Sequence, residues 1–328
     1  MTTVEQDVTV RPASAADRPS VLAVLEASLG WESDDRYADF FAWKHEQSPF
    51  GPSPAWVAVD REGQVLGFRT FLRWEFTQGT AVVRAARAVD TATRPDVQRR
   101  GIFSRLTTTA IEGLVRDEVA FVFNTPNRQS LPGYLRMGWQ RVGRLPVRVR
   151  APSVRRWTRL VGARRPADKW SLLTGAGVPP SDAFADTDSV ARLLAGLDHT
   201  EGLRTRVGVE YLRWRYGFPA LRYRIVTAGP TVEDGTAVFR FRRRGTAVEA
   251  VICDLLVPGE DPRLGGELCR RVLEVAGADY ALCLGRPRAR GFLPLPGQGP
   301  MLTWRALRER ASPSLHEWDL SLGDVELF

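Results

Sequence analysis

The first 150 residues alternate between apolar stretches with the period of a strand and stretches with the period of a helix. The segment VTVRPA predicts a short strand, and PSVLAVLEASLG and DDRYADFFAWKHEQ predict two helices that end at the breaker SPFGPSP. The first helix has two suitable capping residues, Ser14 and Asp17. Its predicted apolar stripe consists of Val21, Val24, Leu25 and Leu29.

Three strands are predicted next, as a meander with turns at REGQ and TQGT. They are AWVAVD, VLGFRTFLRWEF and AVVRAARAVDTAT, and the middle one alternates apolar residues on one face: Leu66, Phe68, Leu72, Trp74 and Phe76. An apolar stripe from Ile102 to Leu114 then predicts a helix, VAFVFN a buried strand, and SLPGYLRMGW a helix with Pro132 in its first turn. QRVGRLPVRVR predicts the closing strands of a first domain, residues 1–150.

The rest of the chain predicts a connection and a second domain. Residues 151–198 are basic and rich in turn formers, as in a linker, although ADKWSLLTG has the composition of a segment that packs on a domain. Residues 199–328 repeat the element order of the first domain, with Trp214-Arg215 in the place of Trp43-Lys44 and Asp254 in the place of Asp90. Duplication of one fold explains this order, and chance alternation of strands is the alternative.

Composition is that of a globular protein. Hydrophobic residues make up 44% and charged residues 26% of the 328 residues, and no apolar run approaches the ~18 residues of a membrane span. The N-terminus has no signal-peptide pattern, so we expect a cytoplasmic protein that does not bind a membrane. The cysteines, Cys253, Cys269 and Cys283, are expected to be reduced core residues, and three histidines scattered along the sequence argue against a metal centre.

A net charge of +8 favours partners that carry phosphate, such as nucleotides, coenzymes or nucleic acid, without choosing among them. Arginine-rich composition also results from a GC-rich genome, which is the plainer explanation. No recognition-helix or zinc signature is present, so DNA binding is not expected.

The QRRG turn (Gln98, Arg99, Arg100 and Gly101) lies between a predicted strand and a predicted helix. The first N–H groups of a helix have no acceptor within the helix and carry the positive end of its dipole, so they bind phosphate well. Gly101 would let a phosphate approach the backbone, and the two arginines add charge. A simple helix start with solvated arginines is the alternative.

A second motif, the Asn–Tyr motif, runs from Asn127 to Trp139 and includes Ser130, Tyr134 and Gly138. On a helix that begins near Ser130, the Tyr134 hydroxyl would point to the preceding strand end, where it could give a proton to a leaving group. The alternative is a core tyrosine followed by a glycine that ends the helix.

Together the two motifs resemble those of the GNAT superfamily of N-acetyltransferases. Gln98-x-x-Gly101 resembles the turn that holds the coenzyme A pyrophosphate, and the Asn–Tyr motif agrees with the N-x-x-(A/S)-x-x-x-Y-x-x-x-G-(F/W) pattern at every spacing. The resemblance covers residues 8–150. It implies an α+β (α/β) fold, a mixed, mostly antiparallel sheet flanked by helices, which the repeat indicates is duplicated.

The resemblance also implies roles for individual residues. The coenzyme A turn would comprise the QRRG turn with Ile102 and Phe103, Tyr134 would be the general acid, and Asn127 and Ser130 would lie along the cofactor. Backbone N–H groups around Ala92 or Thr93 would bind the thioester carbonyl. Phe103 departs from the family pattern, which has a small residue there, and its ring could reshape the pantetheine end of the groove.

The general base is less well defined. Asp90 lies on the strand that leads into the QRRG turn and Glu75 ends the neighbouring strand, and each is equally suited to pairing with an arginine at the surface. FFAWKHEQSPFG could wall the acceptor site, but its repetition in the second half favours core residues. The second half has neither GNAT motif in register, so it is predicted to be a degenerate copy.

We therefore predict an N-acetyltransferase that transfers an acetyl group from acetyl-CoA directly to a primary amine of a small molecule, without a metal. The sequence leaves two alternatives open. One is an aminoacyl-tRNA-dependent transferase of tandem GNAT-like type, in which the basic stretch 144–165 would bind RNA. The other is a non-catalytic acyl-CoA-binding module. The sequence is compatible with a monomer and with a homo-oligomer.

Overall fold

The computed structural model describes residues 8–31, 35–153, 156, 166–197, 201–285 and 291–326. The chain forms two compact units. Unit 1 comprises Met1–Phe76, Val82–Gly143 and Met301–Ser314, and unit 2 comprises Thr77–Ala81, Arg144–Pro300 and Leu315–Phe328. His199 and half of the basic 144–165 stretch lie outside the described residues.

Unit 1 is built around one sheet with the strand order β1-β2-β3-β4-β5-β14-β6. Its elements are β1 (Thr9–Pro12), α1 (Arg18–Leu29), α2 (Asp35–His45), β2 (Ala55–Val59), β3 (Val65–Gln78), β4 (Ala81–Thr93), α3 (Ile102–Arg116), β5 (Phe121–Asn124), α4 (Leu131–Arg136), β6 (Gln140–Arg144) and β14 (Met301–Ala306). Pairing is antiparallel for β1 with β2, for β2 with β3 and for β5 with β14, and parallel for β4 with β5. The predicted element order of residues 8–144 is confirmed.

The periodicities define most of the core of unit 1. The predicted face of β3 is buried, and so is that of α3 except for Phe103, which is partly buried. All eight residues from Val65 to Leu72 are buried, so both faces of this part of β3 are covered. In α1 the stripe is correct for Val21, Val24 and Leu25 but wrong for Leu29, which is 44% exposed in the last turn before Gly30.

Strands β4 and β5 pair over only three residues. The register runs from Ala85 opposite Phe121 to Arg87 opposite Phe123, whereas β4 continues to Thr93 and β5 ends at Asn124. The last six residues of β4 therefore lie beyond the three that pair with β5. This opening leads to the QRRG turn.

The boundaries of the units differ from the predicted ranges 1–150, 151–198 and 199–328. Strand β7 (Val147–Arg150), expected to close the first sheet, pairs with β12 (Tyr280–Leu284) in the sheet of unit 2. Strand β14, from the C-terminal part of the chain, pairs with β5 in unit 1, where Trp304 lies opposite Phe123. Each sheet thus contains one strand from the sequence range that was predicted for the other domain, a pairing that local patterns do not encode.

Unit 2 repeats the architecture of unit 1, in agreement with the predicted duplication. Its further elements are α5 (Pro180–Ala183), α6 (Thr187–Ala195), β8 (Leu203–Thr205), α7 (Val209–Gly217), β9 (Arg224–Thr227), β10 (Thr236–Arg244), β11 (Ala247–Leu256), α8 (Pro262–Ala276), β13 (Leu293–Pro294), β15 (Trp318–Asp319) and α9 (Leu322–Val325). The sheet order is β13-β7-β12-β11-β10-β9, and β11 and β12 pair in parallel over three residues, as β4 and β5 do.

The described part of the chain bears on the expectations for cysteines, membrane spans and metal sites. The three cysteines are free and buried, as predicted for reduced core residues. None of the helices described in the structure has the length and apolarity to cross a membrane. Within the same residues, no group of three or more His, Cys, Asp or Glu side chains is arranged to hold a metal ion.

Candidate functional site

The QRRG turn connects β4 to α3 through a backbone that twice enters the left-handed region. Arg99 has φ 64° and Gly101, the N-cap of α3, has φ 78°. All four residues of the turn are exposed, and a Cβ on Gly101 would meet no atom within 4 Å. Since the first N–H groups of α3 have no intrahelical acceptor, this open helix start has the properties of an anion site.

The end of β4 presents alternating backbone groups to the two sides of the strand. Arg94 N–H donates to the Leu66 carbonyl of β3 at 2.9 Å, so the groups of Thr93 point away from β3. The Thr93 carbonyl accepts instead from the Gln98 side chain (3.2 Å) and from Ser28 Oγ (3.0 Å). Of the two predicted donors to a thioester carbonyl, Thr93 rather than the buried Ala92 has its N–H directed into the opening beside β4.

The Asn–Tyr motif forms the short helix α4 and the turn before it. Asn127 Oδ1 accepts from Ser130 N–H (2.9 Å), Ser130 Oγ–H (3.0 Å) and Gln129 N–H (3.0 Å). Asn127 and Ser130 therefore stabilise the turn at the start of α4. These local contacts give a structural reason for the three-residue spacing between them. Tyr134, in α4, is 4% exposed.

Phe103 connects the two motifs. Its ring lies edge-on to Tyr134, with 5.5 Å between the ring centroids. A Cβ on Gly133 would lie 2.9 Å from the Phe103 ring, so glycine at 133 makes room for the large residue at 103. The departure from the family pattern is thus compensated within the site, and the first turn of α3 contacts Tyr134 directly.

The Tyr134 hydroxyl is bound to a cation that the sequence did not reveal as a site residue. Arg69 Nη1 donates to Tyr134 Oη at 2.6 Å and also to Thr91 Oγ1, and the Arg69 side chain is fully buried. Its guanidinium carbon lies 4.2 Å from the centroid of the Phe71 ring. One signal was available: Arg69 is a charged residue in the middle of an otherwise apolar stretch of β3.

Asp90, the residue before Thr91, belongs to a second buried polar cluster. Its Oδ2 accepts from Lys44 Nζ (2.8 Å) and lies 2.7 Å from His45 Nε2, while His45 Nδ1 lies 3.0 Å from Ser53 Oγ. The backbone of Asp90 has φ 39°, unusual for a residue other than glycine and frequent at functional sites. Phe40, Phe41 and Trp43 of α2 are buried as well, which agrees with the core interpretation of this segment.

Electrostatics fix the charge states of this cluster. Burial by itself would raise the pKa of Asp90, but the Lys44 charge and the His45 hydrogen bond hold it well below its ordinary value. Burial lowers the pKa of His45, against the opposing effect of Asp90. At neutral pH the cluster therefore contains an Asp90 carboxylate, a Lys44 ammonium and a neutral His45.

This assignment predicts a pH-dependent stability. Because His45 in the unfolded chain titrates near 6.5, only the unfolded state takes up this proton as the pH falls below ~6.5, and the free energy of unfolding decreases. We expect His45→Gln, which keeps a donor and an acceptor, to lose less stability between pH 7.5 and 5.5 than wild type, by roughly 1 kcal/mol. Urea denaturation at both pH values measures this difference. Equal pH dependence in the two proteins would contradict a buried neutral His45.

Glu75, the other proposed base, lies too far from the turn. Since Leu66 pairs with Arg94 at the start of β3, Glu75 is about 30 Å further along the strand at ~3.3 Å per residue. It lines a different depression, together with Phe50 and Arg73.

Unit 2 has a buried cluster equivalent to that of Asp90, but an N–H group at the start of its corresponding helix is already hydrogen-bonded. Tyr216 and Asp254, the counterparts of His45 and Asp90, share a hydrogen bond, and Arg215 occupies the place of Lys44. At the start of α8, however, the Asp261 carboxylate accepts from Arg263 N–H at 2.8 Å. A carboxylate in this position satisfies the N–H group that a phosphate would need, and it repels the phosphate.

Comparisons with known proteins agree with this geometry. Residues 9–142 match the model of the Acetyltransferase (GNAT) domain. No curated protein matches the chain in sequence. A probable N-acyltransferase from Enterococcus faecalis has a similar structure at 9% identity and a TM-score of 0.60, covering 92% of this chain and 72% of that one.

Two further solved structures are similar in fold. A GCN5-related N-acetyltransferase from Anabaena variabilis is 11% identical, with a TM-score of 0.60 over 92% of this chain and 73% of that chain. Eis1 from Mycobacterium abscessus is 17% identical, with a TM-score of 0.56 over 92% of this chain and 74% of that chain. Residues 9–142, which contain the QRRG turn and Tyr134, are a GNAT acetyltransferase domain.

Proposed function

We propose that the protein is an acyl-CoA-dependent N-acyltransferase that transfers an acetyl group from acetyl-CoA to a primary amine of a small molecule. One observation carries the proposal: an open, basic helix start and a buried tyrosine hydroxyl are joined through Phe103 in unit 1. The first feature suits a pyrophosphate and the second suits a departing thiolate. We further propose a cytoplasmic location, as the sequence predicts.

Binding of the donor would use the end of β4 and the first turn of α3. Backbone N–H groups of the QRRG turn, Ile102 and Phe103 would hold the pyrophosphate, with Arg99 and Arg100 adding charge. Thr93 N–H would polarise the thioester carbonyl, with Ala92 shaping the strand behind it. The exposed carboxamide of Asn127 and the Ser130 turn would border the pantetheine arm.

Transfer forms a bond between the amine nitrogen and the carbonyl carbon and breaks the bond between that carbon and sulfur. Tyr134 would give its proton to the departing sulfur, and the proton lost by the amine would restore the phenol through Asp90 or water. Because Asp90 is ionised but held by Lys44 and His45, its low basicity favours a role through water. Holding both reactants side by side supplies much of the rate advantage.

Calorimetric titration with acetyl-CoA tests the proposal. We expect micromolar binding to wild type, about 8 kcal/mol, and at least ~100-fold weaker binding to Gly101→Glu, whose carboxylate would repel the pyrophosphate. Gly63→Glu is the matched control, because Gly63 has φ 79° and, like Gly101, open space around its Cβ. This control should bind as wild type does.

The result decides which experiment comes next. If wild type and Gly63→Glu bind acetyl-CoA and Gly101→Glu does not, a screen for the amine follows. It covers polyamines, amino sugars, arylalkylamines and lysine peptides, with CoA release as the readout. Absence of binding to wild type would overturn the proposal and favour the aminoacyl-tRNA-dependent alternative.

A further inference from the structure

Arg69 is a buried cation that forms no ion pair with an acidic side chain in the described part of the chain. It is 0% exposed, and its Nη1 donates to the hydroxyls of Thr91 and Tyr134. Its Nε and Nη2 atoms are buried and have no hydrogen-bond partner among the described residues. Contact with the Phe71 and Tyr134 rings, at 4.2 and 5.3 Å from the guanidinium carbon, offsets part of the cost of burial.

A buried arginine with a purely structural role is expected to have acceptors around its guanidinium group. Arg215 in unit 2 is such a case, with Nε donating to the Gly323 carbonyl, Nη1 to Tyr223 Oη and Nη2 to the Glu326 carbonyl. Leaving donors of a buried charge unpaired costs stability. The contrast indicates that Arg69 is retained for something other than stability.

The direction of the hydrogen bond between Arg69 and Tyr134 determines whether the phenol proton remains available to another acceptor. A guanidinium group only donates, so Tyr134 Oη must be the acceptor at 2.6 Å. The phenol proton is therefore left for another acceptor. The adjacent positive charge would also stabilise the phenolate that remains once this proton has been given away.

We propose that Arg69 is a positioning residue that fixes Tyr134 as the proton donor to the leaving thiolate. The inference rests on the proposed acyl transfer. Thr91, which accepts from the same Nη1 atom, ties the guanidinium to β4 immediately after Asp90. Arg69 thereby holds the phenol at the end of the strand that leads to the QRRG turn.

Arg69→Met tests the proposal by separating stability from turnover. Replacing an incompletely paired buried charge with an apolar side chain of similar length is often neutral or stabilising. We expect an unchanged or higher Tm, acetyl-CoA affinity within about 3-fold of wild type, and kcat lower by about 10- to 100-fold. Arg69→Lys, which keeps the charge, should recover part of kcat.

Two assays measure turnover. One uses the best amine from the screen, and the other follows the slow release of CoA from acetyl-CoA in water, which needs no amine. A double-variant cycle with Tyr134→Phe then shows whether Arg69 acts through the hydroxyl. In the Tyr134→Phe background, Arg69→Met should lower kcat by less than about 3-fold, because the positioned group is already absent.

The outcomes separate the two proposals. Wild type that neither binds acetyl-CoA nor releases CoA contradicts the proposed function itself. Wild type that turns over, combined with an Arg69→Met variant of equal kcat, overturns the role of Arg69 alone. A lower Tm together with the same loss of kcat in both Tyr134 backgrounds would assign Arg69 a structural role and also overturn it.

Discussion

Tyr134→Phe is expected to lower kcat about 100- to 1,000-fold while leaving acetyl-CoA affinity within a few-fold of wild type. Phenylalanine fills the same space between Phe103 and Trp139, whose rings lie 5.5 and 5.1 Å from that of Tyr134. Only the hydroxyl and its hydrogen bond to Arg69 are lost. Steady-state kinetics with the amine identified by the screen, together with calorimetry, measure the two quantities.

A matched control is available in unit 2. Tyr211 is also buried, and its hydroxyl donates to Asp324 at 3.3 Å, so Tyr211→Phe removes a comparable hydrogen bond outside the GNAT motifs. We expect this variant to keep its kcat. Full activity of Tyr134→Phe would contradict the role of general acid. Wild type that binds acetyl-CoA without acylating any amine would instead indicate a binding module.

Asp90→Asn is expected to destabilise the protein by about 3–5 kcal/mol, because it leaves the Lys44 ammonium buried beside a neutral partner. Lys44 is 0% and Asp90 5% exposed, so water does not replace the lost charge. Asparagine adopts the φ of 39° at this position readily, so the backbone need not change. Thermal unfolding should show a Tm lower by roughly 10 °C.

The double variant Lys44→Met with Asp90→Asn provides the control, since removing both charges avoids an uncompensated ion. We expect it to regain most of the lost stability. An Asp90→Asn variant with the same Tm as wild type would show that the ion pair contributes nothing to stability. Once stability is restored, the double variant also tests Asp90 as the base, because any remaining loss of kcat is then not a consequence of unfolding.

The site was predictable from sequence only where its chemistry is local. The QRRG turn and the Asn–Tyr spacing are visible because a helix start, a left-handed glycine and a turn-forming asparagine each depend on a few neighbouring residues. Arg69 was missed, because a lone arginine in a strand does not reveal what its guanidinium contacts. Lys44 and His45 were assigned to a helix that is core or walls the acceptor site, and their contact with Asp90 was missed because Asp90 lies on another element.

For the fold, features that depend on local sequence were predicted correctly, and features that depend on long-range contacts were not. Local periodicity predicted β2, β3, β4 and α3, and the repeated order predicted the sheet of unit 2. Local periodicity assigned β7 to the sheet of unit 1 and did not predict β14 at all. Strand pairing across more than a hundred residues leaves no local pattern.

The sequence by itself therefore determined the element order of residues 8–144, the repeat of that order in the second half and the turn chemistry of a GNAT domain, since these follow from side-chain period and backbone preference. Only the tertiary structure decided the chemical partners in the site. It placed Asp90 against Lys44 and His45, and Tyr134 against Arg69. The charge state of a buried group depends on what packing brings within hydrogen-bond distance, and that is a property of the folded chain.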